Sequence, residues 1–355
     1  MQRAKTFKLL HLDSDPIVER STDLHIGARG TFEKLLADGD LLDYEAIHFL
    51  AEYRRTHDAA SVCANILERA AAVRPDIVYW QHISEFPVSQ RFIDDLRAVS
   101  QHGLLVYHDA DAFGYIKKRI TPQMRLMLAN ADVTFVSGLG ELTSIFRAAG
   151  ARDLRYMPQS FDPRRFGQPW DFSLRRKHKA VMVASNYPGR IPGIYIPGGR
   201  KRAALARKLS AIHGSGFALY GSGWRNLVSA RGVVHFDSQE AVIRDAWVSV
   251  NWDHFDTYAF YYSNRLPISL AAGVPHVTTY HPGYEDLFAD CPGLYFAHSV
   301  DEAVAMVDWL LSKTCEQLVE EGRAAQEWAK TRLSSDITYR HMLEICVEKS
   351  ADRAA

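Results

Sequence analysis

Cysteine is scarce in this chain of 355 residues: Cys63, Cys291, Cys315 and Cys346 stand far apart and form no Cys-x-x-Cys pair. That excludes a zinc knuckle and a dense disulfide framework as organising devices. It fits a reducing, cytoplasmic compartment. An excess of charge of either sign is missing too, since 42 Lys and Arg balance 42 Asp and Glu. The surface as a whole is therefore no electrostatic trap for nucleic acid or membrane, and only local patches could act as one. No apolar run is long enough to span a bilayer. The apolar stretch that follows Gln2, Arg3 and Lys5 ends after a few residues at Asp13, so no signal peptide is expected.

What is present is ordinary in amount and informative in order. Apolar residues make up 47% and charged residues 24%, enough to bury large cores, and a chain of this length divides naturally into two domains. Phe7 to Leu12 reads as a buried strand, followed by a polar loop to Gly30. Thr31 is placed to cap a helix striped by Phe32, Leu35 and Leu36. Strands are then expected at Tyr44 to Phe49, Ile77 to Trp80, Leu104 to Tyr107, Val133 to Val136 and Leu154 to Met157, with helices opening at Asp58, Val88 and Thr121-Pro122. The second half restarts with strands at Ala180 to Ala184, Phe217 to Tyr220, Val233 to Phe236 and Trp247 to Asn251. Helical spacing follows over Asp301 to Leu311 and Glu316 to Leu333, and a last helix is expected near Asp336 to Val347.

This alternation predicts an α/β fold of two Rossmann-like domains, each a parallel sheet with helices on both faces. The expected domains are 1–165 and 175–333, joined through the proline-bearing segment Met157 to Phe166. The basic run Arg175, Arg176, Lys177, His178 and Lys179 reads first as a solvated surface, with an acidic acceptor or nucleic acid as the lesser alternative.

In open parallel sheets, ligands gather beyond the C-terminal strand ends. That rule selects Asp13 and Asp15; Gln81 and His82; His108, Asp109 and Asp111; and Ser137, Gly138 and Gly140. The run from His108 to Asp111 is the densest. It can supply a general base for a hydroxyl, or it can be a loop whose polar groups cap backbone N–H groups. A magnesium held by Asp109 and Asp111 is a weaker third alternative. Gly27 and Gly30 open the first helix, whose N-terminus can face a phosphate. In the second half the long loop Ser185 to Arg200 holds four glycines, three prolines and two arginines, and Lys201 and Arg202 follow it. Long loops in compact domains are usually functional or disordered, so Ser185, Asn186, Arg190, Arg200 and Lys201 are candidate phosphate contacts.

Tyr261 to Phe288 is the most organised stretch. Ser263, Asn264 and Arg265 open a short helix of small residues that stops at Gly273 before Pro275; a buried strand, a His281-Pro282-Gly283 turn and a further helix start follow. A helix N-terminus of that composition is a plausible anion site, and the plain alternative is a capped helix that binds nothing.

The run Arg265 to Pro275, with Val277-Thr278 and Pro282-Gly283-Tyr284-Glu285 after it, resembles the donor-binding segment of GT-B glycosyltransferases of the group 1 type, in particular their spore-coat-like and phage-like branches. The resemblance implies two Rossmann-like domains facing across a cleft, with a C-terminal helix (335–350) crossing back to the first. It implies a nucleotide-sugar donor, most simply UDP-linked, held by the second domain, with Gly221 and Gly223 in the glycine turn after Phe217 to Tyr220 and the nucleobase near Asp237 to Glu240. No cofactor beyond the nucleotide sugar is implied, since the leaving diphosphate is stabilised by helix dipoles and basic side chains such as Arg265 rather than by a metal. Many retaining members carry two glutamates eight positions apart in this region. Here those positions are Phe260 and Ile268, which cannot hydrogen-bond a ribose or a sugar, so ribose recognition falls to Glu285 or to Asp237 to Glu240.

The resulting expectation is a metal-independent glycosyltransferase in which Asp109, with Asp111 or His108 as alternate, activates an acceptor hydroxyl on a small molecule, glycan or macromolecule. Two alternatives stand beside it. One is a nucleotide-sugar-binding protein that no longer catalyses, suggested by the missing glutamates. The other is a glycosyltransferase acting on modified nucleic acid, suggested by the basic run.

Overall fold

The computed structural model describes residues 7–15, 27–83, 85–101, 103–115, 118–187 and 196–354, with side chains to 352. The chain forms two compact units, one running through Pro158 and resuming at Thr338, the other spanning Gln159–Ile337.

The first unit alternates β1 (Phe7–Leu12), α1 (Ala28–Ala37), β2 (Leu41–Ile47), α2 (Phe49–Thr56), α3 (Ala59–Val73), β3 (Ile77–Gln81), α4 (Gln90–Val99), β4 (Leu104–Asp109), α5 (Pro122–Asn130), β5 (Val133–Val136), α6 (Glu141–Ala148) and β6 (Leu154–Tyr156). Its six strands are parallel in the order β2-β1-β3-β4-β5-β6. Helix starts follow cap chemistry: the side chains of Asp58, Ser89 and Thr121 accept from the backbone N–H groups of Ser61, Phe92 and Met124. One face of the sheet packs Leu9, Tyr79, Val106 and Phe135 against Phe32 and against Tyr339 and Met342 of the C-terminal helix.

Two expected boundaries move here. Helix α1 starts at Ala28 with Gly27 as its left-handed N-cap (φ 76°), and Thr31 donates to the Gly27 carbonyl at 2.8 Å instead of capping. The strand expected over Tyr44 to Phe49 ends at Ile47. Phe49 and Tyr53, one helical turn apart, both pack on Phe86, at 5.2 and 5.4 Å between ring centroids, which commits that stretch to α2.

The second unit comprises β7 (His178–Val183), α7 (Gly199–His213), β8 (Phe217–Tyr220), β9 (Ala230–Gly232), α8 (Gln239–Arg244), β10 (Ala246–Val250), α9 (Arg265–Ala271), β11 (His276–Thr279), α10 (Tyr284–Leu287), β12 (Leu294–Ala297), α11 (Val300–Leu311) and α12 (Cys315–Arg332); α13 (Ser335–Ala354) starts in it and returns to the first unit. Its parallel strand order is β12-β11-β10-β7-β8-β9. The two-residue period of the strands divides the core cleanly: Ala180, Met182, Phe217 and Leu219 fill one face, Val181 and Ala218 the other.

Three expectations are corrected in this unit. Val233 to Phe236 is not a strand: Val233 is 76% exposed, and the Phe236 ring packs beside Phe166 and under the Arg165 guanidinium rather than in the sheet. Arg176 is not part of a solvated basic surface. Its guanidinium lies between the rings of Trp170 and Trp247, at 5.1 and 4.6 Å, and donates to the Ala246 carbonyl at 2.7 Å. Finally, residues 159–165, expected at the end of the first domain, belong with the second unit. Phe161 bridges to Ser334, Arg164 bonds Asp336 at 2.9 Å, and Arg165 pairs with Asp237.

Candidate functional site

Strand order reverses once in each sheet, between β1 and β3 and between β7 and β10, and such a switch point is where the strand-end crevice opens. In the second unit, Arg202 stands across that point. Its guanidinium is 1% exposed, donates through Nε to the Trp252 carbonyl beyond β10 at 2.6 Å, and donates through Nη1 to the Ser185 carbonyl beyond β7 at 3.2 Å and to His254 Nε2. Burial, then the charge of neighbouring Arg265, lowers its pKa. Arg265 is anchored by Nε to the Val183 carbonyl at 2.7 Å, which fixes its head beside the same strand ends.

The carboxylate near Arg202 is Asp253. It is 1% exposed, accepts from Asn251 Nδ2 at 2.9 Å, and lies 3.5 Å from His281 Nε2, while its backbone N–H donates to the Thr279 hydroxyl at 2.8 Å. Burial alone would raise it, but His281 and the charge of Arg202 outweigh burial and hold it well below the usual carboxylate range. Arg202 thus has a second guanidinium, Arg265, and one buried carboxylate, Asp253, near enough to act on its charge. The fifteen-residue helix α7 begins beside them at Gly199, after Gly198 as its N-cap, with no side chain capping its first turn, which leaves a positive dipole end there.

The expected donor residues distribute around this centre unevenly. Ser185 and Asn186 form the β7 exit, where the Ser185 hydroxyl accepts from Ser222 N–H at 3.2 Å and Asn186 N–H donates to the Ser222 carbonyl at 2.9 Å. Gly221 and Gly223 serve this loop contact: a Cβ on Gly221 would stand 2.3 Å from the Ala184 carbonyl oxygen, and one on Gly223 2.2 Å from that of Asn186. Arg200 is exposed on the first turn of α7, and Lys201 is turned to Asp256 at 2.8 Å and over the Trp252 ring. Ser263 is buried; Asn264 occupies the N-cap position of α9 but makes no side-chain cap bond, and α9 is only seven residues long. Glu285 is exposed and accepts from the Tyr280 hydroxyl at 2.6 Å. Asp237 and Glu240, the other ribose candidates, are engaged by Arg165 and by Arg244 with Gly167 N–H. Arg190 lies outside the described residues.

In the first unit, β3 and β4 deliver a chain of hydrogen bonds. The Tyr107 hydroxyl donates to Asp109 Oδ2 at 2.9 Å, His82 Nδ1 meets the same oxygen at 2.9 Å, and Asp111 N–H donates to Asp109 Oδ1 at 3.1 Å. Asp109 is 1% exposed with both oxygens occupied. Burial opposes its charge, but His82 outweighs burial and holds the carboxyl low; reciprocally, Asp109 pushes His82 up to about 9. His108 is buried with Nδ1 2.7 Å from the Tyr79 hydroxyl, and Asp111 pairs with Lys118 at 2.6 Å. Asp111 is exposed and His82, a substrate-binding candidate from the sequence, is partly exposed. Gly27 caps α1 and Gly30 lies within its first turn. Beside the β2 exit, Glu45, His48, Glu52, Arg55 and Arg69 line a cavity of about 700 Å³. Among the described residues no group of three His, Cys, Asp or Glu side chains is arranged to hold a metal, and no helix is long and apolar enough to cross a membrane.

Residues 200–347 match the family described as "Glycosyl transferase-like". The whole chain has the fold of solved glycosyltransferase structures. HepE from Anabaena in complex with UDP and glucose superposes with a TM-score of 0.56 at 12% identity, over 96% of this chain and 99% of that one. Sucrose-phosphate synthase from Thermosynechococcus elongatus gives 0.59 at 10% identity over 98% and 100%. A glycosyltransferase from Rickettsia africae gives 0.59 at 11% over 97% and 99%. The chain has the GT-B fold. No curated protein matches its sequence.

Within this GT-B chain, the residue that sequence reasoning missed is Arg202. The signal for it was present: Arg202, Leu205, Ala206 and Leu209 recur at helical spacing and are all buried, so the arginine belongs to the core-facing stripe of α7. Assigning everything to Arg200 to the loop hid that stripe. Asp253 and His281 were hidden in an aromatic-rich loop and a proline turn, where only the three-dimensional exit of β10 and β11 brings them together.

Proposed function

We propose that this glycosyl transferase-like enzyme moves a sugar from a nucleotide-diphosphate sugar, UDP-linked, to an acceptor hydroxyl without a metal ion. The observation that carries the proposal is the buried Arg202 guanidinium across the β7/β10 switch point, with Arg265 beside it and one carboxylate, Asp253, in reach. A buried charge needs a partner, and a diphosphate is the partner whose charge and oxygens match two guanidinium forks and an uncapped helix N-terminus. Negative charge grows on the departing diphosphate as the glycosidic bond breaks, so the same cations lower the barrier. The family match over the second unit and the UDP and glucose bound in the similar HepE structure support this choice of donor.

The test is thermal stability and calorimetric titration with UDP, GDP, ADP, dTDP and CMP, each with and without magnesium. A ligand that binds only the folded chain raises its Tm. The expected result is a shift selective for UDP, equal with and without magnesium, and abolished by Arg265→Ala. A shift that requires magnesium would overturn the metal-independent part, and no shift with any diphosphate would overturn the donor site itself. UDP-sugar binding with neither transfer nor donor hydrolysis would favour a binding protein instead, as Phe260 and Ile268 in place of the two glutamates would suit.

A further inference from the structure

We propose that the first unit carries a binding site for a neutral saccharide, in the cavity of about 700 Å³ lined by β2, α2 and α3. The site lies wholly within that unit and takes nothing from the donor site of the second. Its place follows from the topology. β2 is the edge strand of its sheet, so among the described residues no further strand fills the space beside it. The apolar residues of the two helices are spent on the core: Phe49 and Leu50 of α2 and Val62, Ile66 and Ala70 of α3 are buried. The polar residues left to line the cavity recur at helical spacing, Glu52 and Arg55 on α2 and Asn65 and Arg69 on α3.

These side chains are held by partners and keep bonding capacity in reserve. Glu45 is paired with Arg69, Glu52 Oε2 accepts from Asn65 Nδ2 at 3.2 Å, and His48 Nδ1 lies 3.0 Å from the buried Asp13. Glu52 Oε1 and the whole Arg55 guanidinium make no bond among the described residues, although Glu52 and Arg55 stand one turn apart; the adjacent Arg54 is paired with Glu85 at 2.7 Å. The chemistry of the lining selects the ligand. Two glutamates balance two arginines, which favours neither an anion nor a cation, and Glu45, His48 and Glu52 are not arranged to hold a metal. An apolar ligand would strip water from these charges without pairing them. Neighbouring hydroxyls of a sugar ring suit them, since each both donates and accepts. Two can donate to a planar carboxylate while they accept from a guanidinium fork or an amide. The volume is that of a small-molecule site.

Saturation-transfer NMR on the full chain with maltose, cellobiose, lactose and N,N′-diacetylchitobiose tests this, with glucose 6-phosphate as the anionic counterpart. At least one neutral disaccharide should bind, and more tightly than glucose 6-phosphate. Glu52→Gln and Arg55→Ala should each weaken that binding by roughly tenfold. Both positions lie at the helix surface, so each variant should keep its Tm within about 2 °C, which separates lost binding from lost folding. Arg265→Ala, in the donor site, should leave saccharide affinity unchanged within about twofold, as sites in separate units do. No binding of any of the four disaccharides, tighter binding of glucose 6-phosphate, or binding indifferent to both cavity substitutions would overturn the proposal. Failure of UDP to bind the wild type would bring down the donor reading and leave this site standing.

Discussion

Arg202 donates through Nε to the carbonyl of Trp252, the second residue beyond β10, at 2.6 Å, while its Nη1 holds Ser185 beyond β7. One planar fork thereby fixes the two loop exits that flank the strand-order reversal. A lysine offers a point charge without that geometry, and a buried carbonyl left unpaired costs about 1–3 kcal/mol. Arg202→Lys is therefore expected to lower Tm by several degrees and to weaken UDP binding by about tenfold or more. Calorimetry on the purified variant checks both. A Tm loss with unchanged UDP affinity would confine Arg202 to a structural role.

Gly221 permits the matching approach on the other side of β7. Its N–H donates to the Gly232 carbonyl at 2.8 Å, its φ is +132°, and a methyl group there would collide with the Ala184 carbonyl oxygen at 2.3 Å. Gly221→Ala should destabilise the second unit by on the order of 2–3 kcal/mol, combining backbone strain with the forced displacement of the loop. Chemical denaturation measures the loss, and a variant as stable as the wild type would show that the β7 and β8 exits can separate freely.

The basic run tells how charge in a sequence can mislead. Arg176 sits between two indole rings and is anchored to the Ala246 carbonyl, so it packs the segment around Trp170 onto β10 within the second unit. Arg176→Ala should cost about 2 kcal/mol through lost stacking and packing, roughly 4–8 °C in Tm for a unit of this size. Arg176→Lys should recover only part of it. If Arg176→Ala instead left Tm unchanged and reduced salt-dependent binding to DNA or RNA, the nucleic-acid alternative would return.

Much of the fold was legible because local chemistry and topology agreed. The strands at Phe7 to Leu12, Val133 to Val136 and Phe217 to Tyr220, and the helix opened by Thr121-Pro122, fall where their apolar periods and caps put them. The failures have a common physical origin. Val233 and Phe236 have the composition of a strand, yet aromatic contacts to Phe166 and Arg165, far away in sequence, decide their place. The site was half legible for the same reason. Position near a strand end can be read from the pattern, which put Ser185, Asn186 and His82 at strand exits and Asp109 at the end of β4. Which of two neighbouring polar groups is buried and which faces out cannot, so the burial of Asp109 behind the partly exposed His82 was not legible, and Arg202 emerges only once α7 is seen to begin at Gly199.

The bond between His82 and Asp109 also predicts how stability depends on pH. His82 is raised in the folded chain from 6.5 to about 9, so its contribution is complete below the ordinary histidine value and is lost as pH rises through about 9. Asp109 is depressed below 3.8, so its contribution is present above that value and is lost as pH falls through the folded one. Both groups belong to one interaction, which is at full strength from about pH 5 to pH 6 and weakens towards pH 10. Asp109→Asn should lower Tm by roughly 4–8 °C in that window, the equivalent of about 2 kcal/mol for a charge-assisted hydrogen bond. By pH 10 the gap to wild type should have narrowed to little. Thermal unfolding of the two proteins between pH 5 and pH 10 measures it directly. A gap that stays constant across the range would mean that His82 is neutral throughout, and that Asp109 stabilises the fold through Tyr107 and the Asp111 N–H alone.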